Sequence, residues 1–166
     1  MNVVKPEKYE YTETPLGVWR GYRYPNGQVF REFRSHAQVL GLPLMHYTRG
    51  KCPETGRLVV ARGIVAVGRL AIGVVAIGQA SCGIIGIGQA SLGLLLGVGQ
   101  ATAAFTAFGQ LAVGIVVGIG QFATGAFALG QFAWGHYVIA QFGCGTHVWA
   151  QFANPGCKEF LKNVLP

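Results

Sequence analysis

The chain has 166 residues, a formal net charge of +7, 26 glycines and 51% hydrophobic residues. Its six acidic residues are Glu7, Glu10, Glu13, Glu32 and Glu54 near the start and Glu159 near the end, so nothing between Thr55 and Lys158 supplies a carboxylate. That excludes most acid–base chemistry from the larger part of the chain and points to one dominant module with a small appendage.

The first residues, Met1-Asn2-Val3-Val4-Lys5-Pro6-Glu7-Lys8, lack the apolar run and small-residue cleavage site of a secretory signal. Cys52, Cys82, Cys144 and Cys157 show no close metal-ligand pair. The expectation is a cytoplasmic protein with reduced thiols, in which Cys82 and Cys144 are small inward-facing core residues.

A β-hairpin follows. Val18-Trp19-Arg20-Gly21-Tyr22-Arg23-Tyr24 and Gln28-Val29-Phe30-Arg31-Glu32-Phe33-Arg34 flank Pro25-Asn26-Gly27, and Asn-Gly is the strongest short-range hairpin signal. Arg20, Arg23, Arg31 and Arg34 interleave with aromatics, a pattern that serves anion or nucleic-acid binding and equally describes a two-stranded sheet with one solvated face. The ordinary sheet is the preferred reading. Two turn-rich pieces, Gly41-Leu42-Pro43-Leu44 and Lys51-Cys52-Pro53-Glu54-Thr55-Gly56-Arg57, then lead into Leu58-Val59-Val60-Ala61.

From Arg62 to Gln151 one phrase recurs. Gly-Gln pairs stand at Gly78-Gln79, Gly88-Gln89, Gly99-Gln100, Gly109-Gln110, Gly120-Gln121 and Gly130-Gln131, and continue as Ala140-Gln141 and Ala150-Gln151, at a spacing of ten or eleven residues. A fixed short period marks a repeat architecture whose units stack. On an α-helix a ten-residue step scatters the glutamines around the axis, and a glycine nearly every fifth residue destabilises a helix, so bilayer-crossing helices are not the preferred reading despite the hydropathy. The predicted fold is all-β: a short-coil β-solenoid of about ten residues per coil, with glycines taking positive φ at its corners and a small β-rich N-terminal cap. The expected organisation is a basic cap over residues 1–57, solenoid repeats over 58–153, and a capping tail over 154–166 whose Lys158-Glu159-Phe160-Leu161-Lys162 forms one amphipathic turn.

Each decad divides into two pentads, such as Gly73-Val74-Val75-Ala76-Ile77 and Gly78-Gln79-Ala80-Ser81-Cys82. Strand alternation points the second and fourth places outward and the third and fifth inward. Gln79, Gln89, Gln100, Gln110, Gln121, Gln131, Gln141 and Gln151 then form an outward structural ladder of stacked amides. Ile64, Val74, Ile84, Leu94, Phe105 and Ile115 form an outward apolar ridge, the expected interface for another copy or a protein partner. The third-place series Ala80, Ala90, Ala101, Leu111, Phe122, Phe132, Phe142, Phe152 reads as a stacked aromatic core, with an apolar-ligand tunnel as the alternative.

The segment Gly41-Leu42-Pro43-Leu44, the turn Pro53-Glu54-Thr55-Gly56-Arg57 and the run Ala61-Arg62-Gly63-Ile64-Val65-Ala66-Val67-Gly68 resemble a group of uncharacterised bacterial proteins with glycine-rich hydrophobic decad repeats. Residues 41–120 carry the resemblance, which implies the β-solenoid-like architecture only and assigns no activity either way. The regular glutamines and the aromatic-rich final coils depart from that group.

Candidate chemistry is sparse. His136, Cys144 and His147 fall in neighbouring coils, but alternation turns His136 away from the other two, so no metal site is expected. Ser81 and Ser91 lack a nearby histidine and carboxylate, so no catalytic residues are assigned. No cofactor or small-molecule substrate is expected. The reading is a non-catalytic scaffold that self-assembles, with a membrane-associated or lipid- or quinone-binding protein as the alternative, and nucleic-acid binding through the hairpin third.

Overall fold

In the computed structural model, residues 9–153 are described. They are all-β, with strands β1 (Glu10–Thr14), β2 (Gly17–Arg23), β3 (Val29–Ser35), β4 (Gln38–Val39), β5 (Leu42–Pro43), β6 (Met45–Arg49) and β7 (Val60–Ala153). Among the described residues no helix is long and apolar enough to cross a membrane. The expected tail over 154–166, including its amphipathic turn, lies outside the described residues. The chain divides into two compact units, Met1–Ile84 and Ile85–Pro166, so the first repeats group with the N-terminal strands.

In the first unit a five-stranded sheet runs in the order β1-β2-β3-β6-β7. The hairpin forms where Asn26-Gly27 requires it: β2 and β3 are antiparallel with Arg23 opposite Val29, and Gly27 takes φ 81° in the turn. Across this sheet Trp19, Phe33 and Tyr47 stand directly opposite one another in successive strands, with ring centroids 4.9 Å apart for Trp19–Phe33 and 6.0 Å for Trp19–Tyr47. Such cross-strand aromatic pairs fix register. The other face packs Phe30 against Tyr9 and Cys52. A separate two-stranded ribbon, β4 with β5, turns at Leu40 (φ 53°) and Gly41 (φ 77°). Strand β6 then pairs in parallel with the start of β7, Met45 to Val65, His46 to Ala66 and Tyr47 to Val67.

Strand β7 returns on itself in each unit. In the first, a Cβ built on Gly73 would lie 2.1 Å from the Gly63 carbonyl oxygen, and one on Gly78 would lie equally close to that of Gly68. In the second, Gly109 stands in the same relation to Gly99 at 2.1 Å. These glycines are demanded by the close approach of backbone ten residues away. That corrects the expectation of positive-φ corners: among repeat glycines only Gly125 has a positive φ, and at 159° it is near full extension.

The inside of the repeat is also corrected. The buried residue is the fourth of most pentads: Ala66, Ala71, Ala76 and Ser81 in the first unit, and Ser91, Thr102, Ala107, Ala112, Ala123, Ala128, Ala133 and Val138 in the second. The third and fifth places, expected inward, face outward or are only half-buried. The reason is steric, because neighbouring backbones approach so closely that small side chains fit there, mostly alanine and serine, with Thr102 and Val138 the largest. Phe122, Phe132 and Phe142 are about half exposed, so they form an outer stripe and line no internal tunnel; the Phe152 side chain lies outside the described part. Cys82 is exposed and free rather than core, and Cys144 is disulfide-bonded rather than a reduced core thiol.

One buried hydroxyl is an exception to good packing. Ser81 Oγ has no hydrogen-bond partner, whereas Ser91 Oγ donates to Thr102 Oγ1 at 2.7 Å. Since the column otherwise accepts alanine, Ser81→Ala removes an unsatisfied polar atom without leaving a void. We expect it to raise stability by about 1 kcal/mol in urea unfolding; a destabilised variant would contradict this account of the axis.

Candidate functional site

The buried charge of the N-terminal sheet is built by strand register. Glu32 on β3 lies directly opposite Arg20 on β2 and diagonal to His46 on β6. Arg20 donates to Glu32 Oε2 from Nε at 3.1 Å and from Nη2 at 2.5 Å, and Oε1 accepts from His46 Nε2 at 3.1 Å with Arg34 Nη2 3.7 Å away. Burial alone would raise the Glu32 pKa, but the His46 hydrogen bond and the Arg20 charge outweigh it and hold the carboxyl at about 2. His46 Nδ1 meets the Arg62 amide at 2.9 Å and the Arg62 carbonyl oxygen at 3.2 Å, while Nε2 faces Glu32. Both ring nitrogens are thus engaged and the ring is buried, so His46 has no nitrogen free for a substrate proton. The group is a structural clamp.

This geometry changes the reading of the hairpin arginines. Arg20 is committed to Glu32 and its guanidinium lies 4.8 Å from the Tyr9 ring centroid, so it does not project toward an anion. Arg34 leans on the same carboxylate, while Arg23 and Arg31 are exposed. Beneath Tyr9 sits Cys52, buried with its sulfur 3.8 Å from the Tyr9 hydroxyl. Burial pushes this thiol up, but the backbone of Thr55 and Glu54 and the Tyr9 hydroxyl pull it below its ordinary value. Burial, with the Cys52 contact, drives Tyr9 upward. Closed off from solvent, Cys52 has no path to a substrate.

The exposed cations gather elsewhere. Arg49, Lys51 and Arg69 line a groove of about 550 Å³ in the first unit, together with Tyr24, Gln79 and Ile77. Sequence reasoning missed this grouping, although one signal was present: Arg69 in Gly68-Arg69 occupies the place that Gln79 holds in Gly78-Gln79.

On the repeats, Val74 and Ile84 in the first unit and Leu94, Phe105 and Ile115 in the second are all exposed, Leu94 and Ile115 by 65% and 67%; Ile64 is partly buried. The glutamines from Gln79 to Gln151 are exposed too. Within the second unit no hydrogen bond joins one of these amides to another among the described residues, where the expectation was a ladder of stacked amides. In the second unit the third places stack as rings: Phe122–Phe132 and Phe132–Phe142 at 5.0 and 5.1 Å, and Phe127–Tyr137 and Tyr137–His147 at 5.0 Å each, all with nearly parallel planes. His136 packs edge-on to His147 at 5.4 Å, which corrects the expectation that alternation separates them. Among the described residues no three His, Cys, Asp or Glu side chains converge as metal ligands.

Comparison with known proteins found no matching family model, curated protein or solved structure. The functional reading therefore rests on the residues themselves.

Proposed function

We propose that residues 58–153 form a short-coil β-solenoid and that the protein is a non-catalytic structural subunit which assembles through apolar columns on the outside of its coils. One observation carries the reading: the buried places of the repeat hold small side chains, mostly alanine and serine and none larger than Val138, while isoleucine, leucine and phenylalanine stand outside. Proteins rarely leave large contiguous apolar surface in water, so these columns call for a partner. Leu94→Asp with Ile115→Asp in the second unit places two charges where the interface would close. Self-association should weaken by roughly a hundredfold or more, read as a fall to monomer mass in light scattering. An unchanged assembly mass would overturn the interface.

A second reading is favoured by a separate observation. No Asp, Glu, Lys or Arg occurs from Leu70 to Cys157, and exposed apolar side chains occupy several places of the pentad, such as Leu92, Leu94 and Leu95 in one stretch. A single protein contact covers one side of a coil, whereas lipid covers several. Membrane association is therefore the alternative. Nucleic-acid binding through the hairpin loses support because Arg20 is occupied by Glu32.

A further inference from the structure

We propose that the groove lined by Arg49, Lys51 and Arg69 binds the phosphate headgroup of an anionic lipid at a membrane surface; this rests on the membrane-associated reading above. The three cations are exposed, and none is paired with a carboxylate among the described residues. No acidic residue lines the groove. Glu32, the buried acid of this unit, is already held by Arg20 and His46. The site is therefore charge-complementary to an anion, and its positive charge is unspent.

The groove is not polar throughout, and that selects the ligand. Val29 and Ile77, both more than a third exposed, line it beside the cations. A free phosphate uses the cations and gains nothing from these side chains, whereas an amphiphile places its headgroup on the cations and its glycerol and first methylenes on the aliphatic wall. A nucleic-acid strand presents phosphates in series and needs cations in series to match. Here the cations stand in one groove, and beyond Arg69 the coils carry none up to Cys157. Exposed Ile72, Val74 and Ile77 continue from Arg69 in the direction of the chain.

The test is sedimentation of the full chain with phosphatidylcholine vesicles and with vesicles that also contain phosphatidylglycerol. Three proteins are compared: wild type, R49E/K51E/R69E, and R23E/R57E/R62E, which makes the same charge change at exposed positions outside the groove. Wild type should prefer the anionic vesicles, the groove variant should lose on the order of a hundredfold in affinity, and the control should lose far less. Arg69→Gln introduces the residue already used at the equivalent place of the next coil, so it should fold and still lose about fivefold. Equal loss in the two triple variants, or equal binding to both vesicle types, would overturn the groove while leaving membrane association standing. Binding to neither vesicle would overturn both. Displacement by inorganic phosphate or a short oligonucleotide at concentrations below that of accessible lipid would assign the groove to a free anion or to nucleic acid and overturn the lipid.

Discussion

Gly109→Ala should cost about 3 kcal/mol or more, because its methyl group would sit 2.1 Å from the Gly99 carbonyl oxygen and backbone cannot yield as a side chain does. The contrast is Gly21→Ala in β2, where the nearest atom to a new Cβ is 3.8 Å away and φ is not positive, so the change should be nearly neutral. A third variant separates the two accounts of the repeat glycines. Asparagine tolerates left-handed backbone, so Gly109→Asn would rescue a corner that needs positive φ, but it should be as damaging as alanine where space is the constraint. Urea midpoints of the three variants decide it, and a tolerated asparagine would refute close approach as the reason for glycine. Repeats forced apart also lose the even spacing of the ring stacks from Phe122 to Phe142.

Loss of the Glu32 carboxylate should be nearly as costly. Its folded pKa of about 2 lies below the ordinary 4.5, so between those values the unfolded chain binds the proton more readily than the folded one. The stabilisation is fully present above about pH 4.5, falls as pH drops toward 2, and amounts to roughly 3 kcal/mol by the conversion of a pKa shift to free energy. Glu32→Gln should lower stability near neutral pH by an amount of that order, because Arg20 would keep its charge in a partly buried site without a carboxylate. The same variant should flatten the dependence of stability on pH across that window. Unfolding free energies measured from pH 6 to 2 test both statements, and a variant whose acid profile matched wild type would show that another group carries the acid sensitivity.

Strand pairing places these effects in the first unit and leaves the repeats to the glycines. The clamp joins β2, β3 and β6, and β6 in turn pairs with residues 65–67 of β7, so the buried carboxylate braces the strand against which β7 begins. No comparable charge network exists among the described residues of the second unit, which contain no Asp, Glu, Lys or Arg. Stability there comes without ion pairs, from axis packing, backbone pairing, the ring stacks and the disulfide at Cys144. A single added methyl group at a glycine is for that reason a larger perturbation than most surface charges.

The amino-acid sequence by itself determined the all-β class, the hairpin at Asn26-Gly27 and the ten- or eleven-residue period, because turn chemistry and repetition are local properties of a chain. It also placed Val74, Leu94 and Ile115 on the outside. What it did not determine was the inside. Alternation of sides holds along a flat strand, but a backbone that returns every ten residues repeats its environment every five, an odd number that breaks parity, so the buried place became the fourth rather than the third and fifth. The uniform smallness of Ala71, Ala76, Ser81 and Ala112 was the legible sign of it. Only the tertiary structure decided that Glu32 meets Arg20 and His46, that Arg49, Lys51 and Arg69 share a groove, and that His136 touches His147. Each of these meetings depends on register between separated segments, and register is set by the sum of packing over a sheet rather than by the residues that meet.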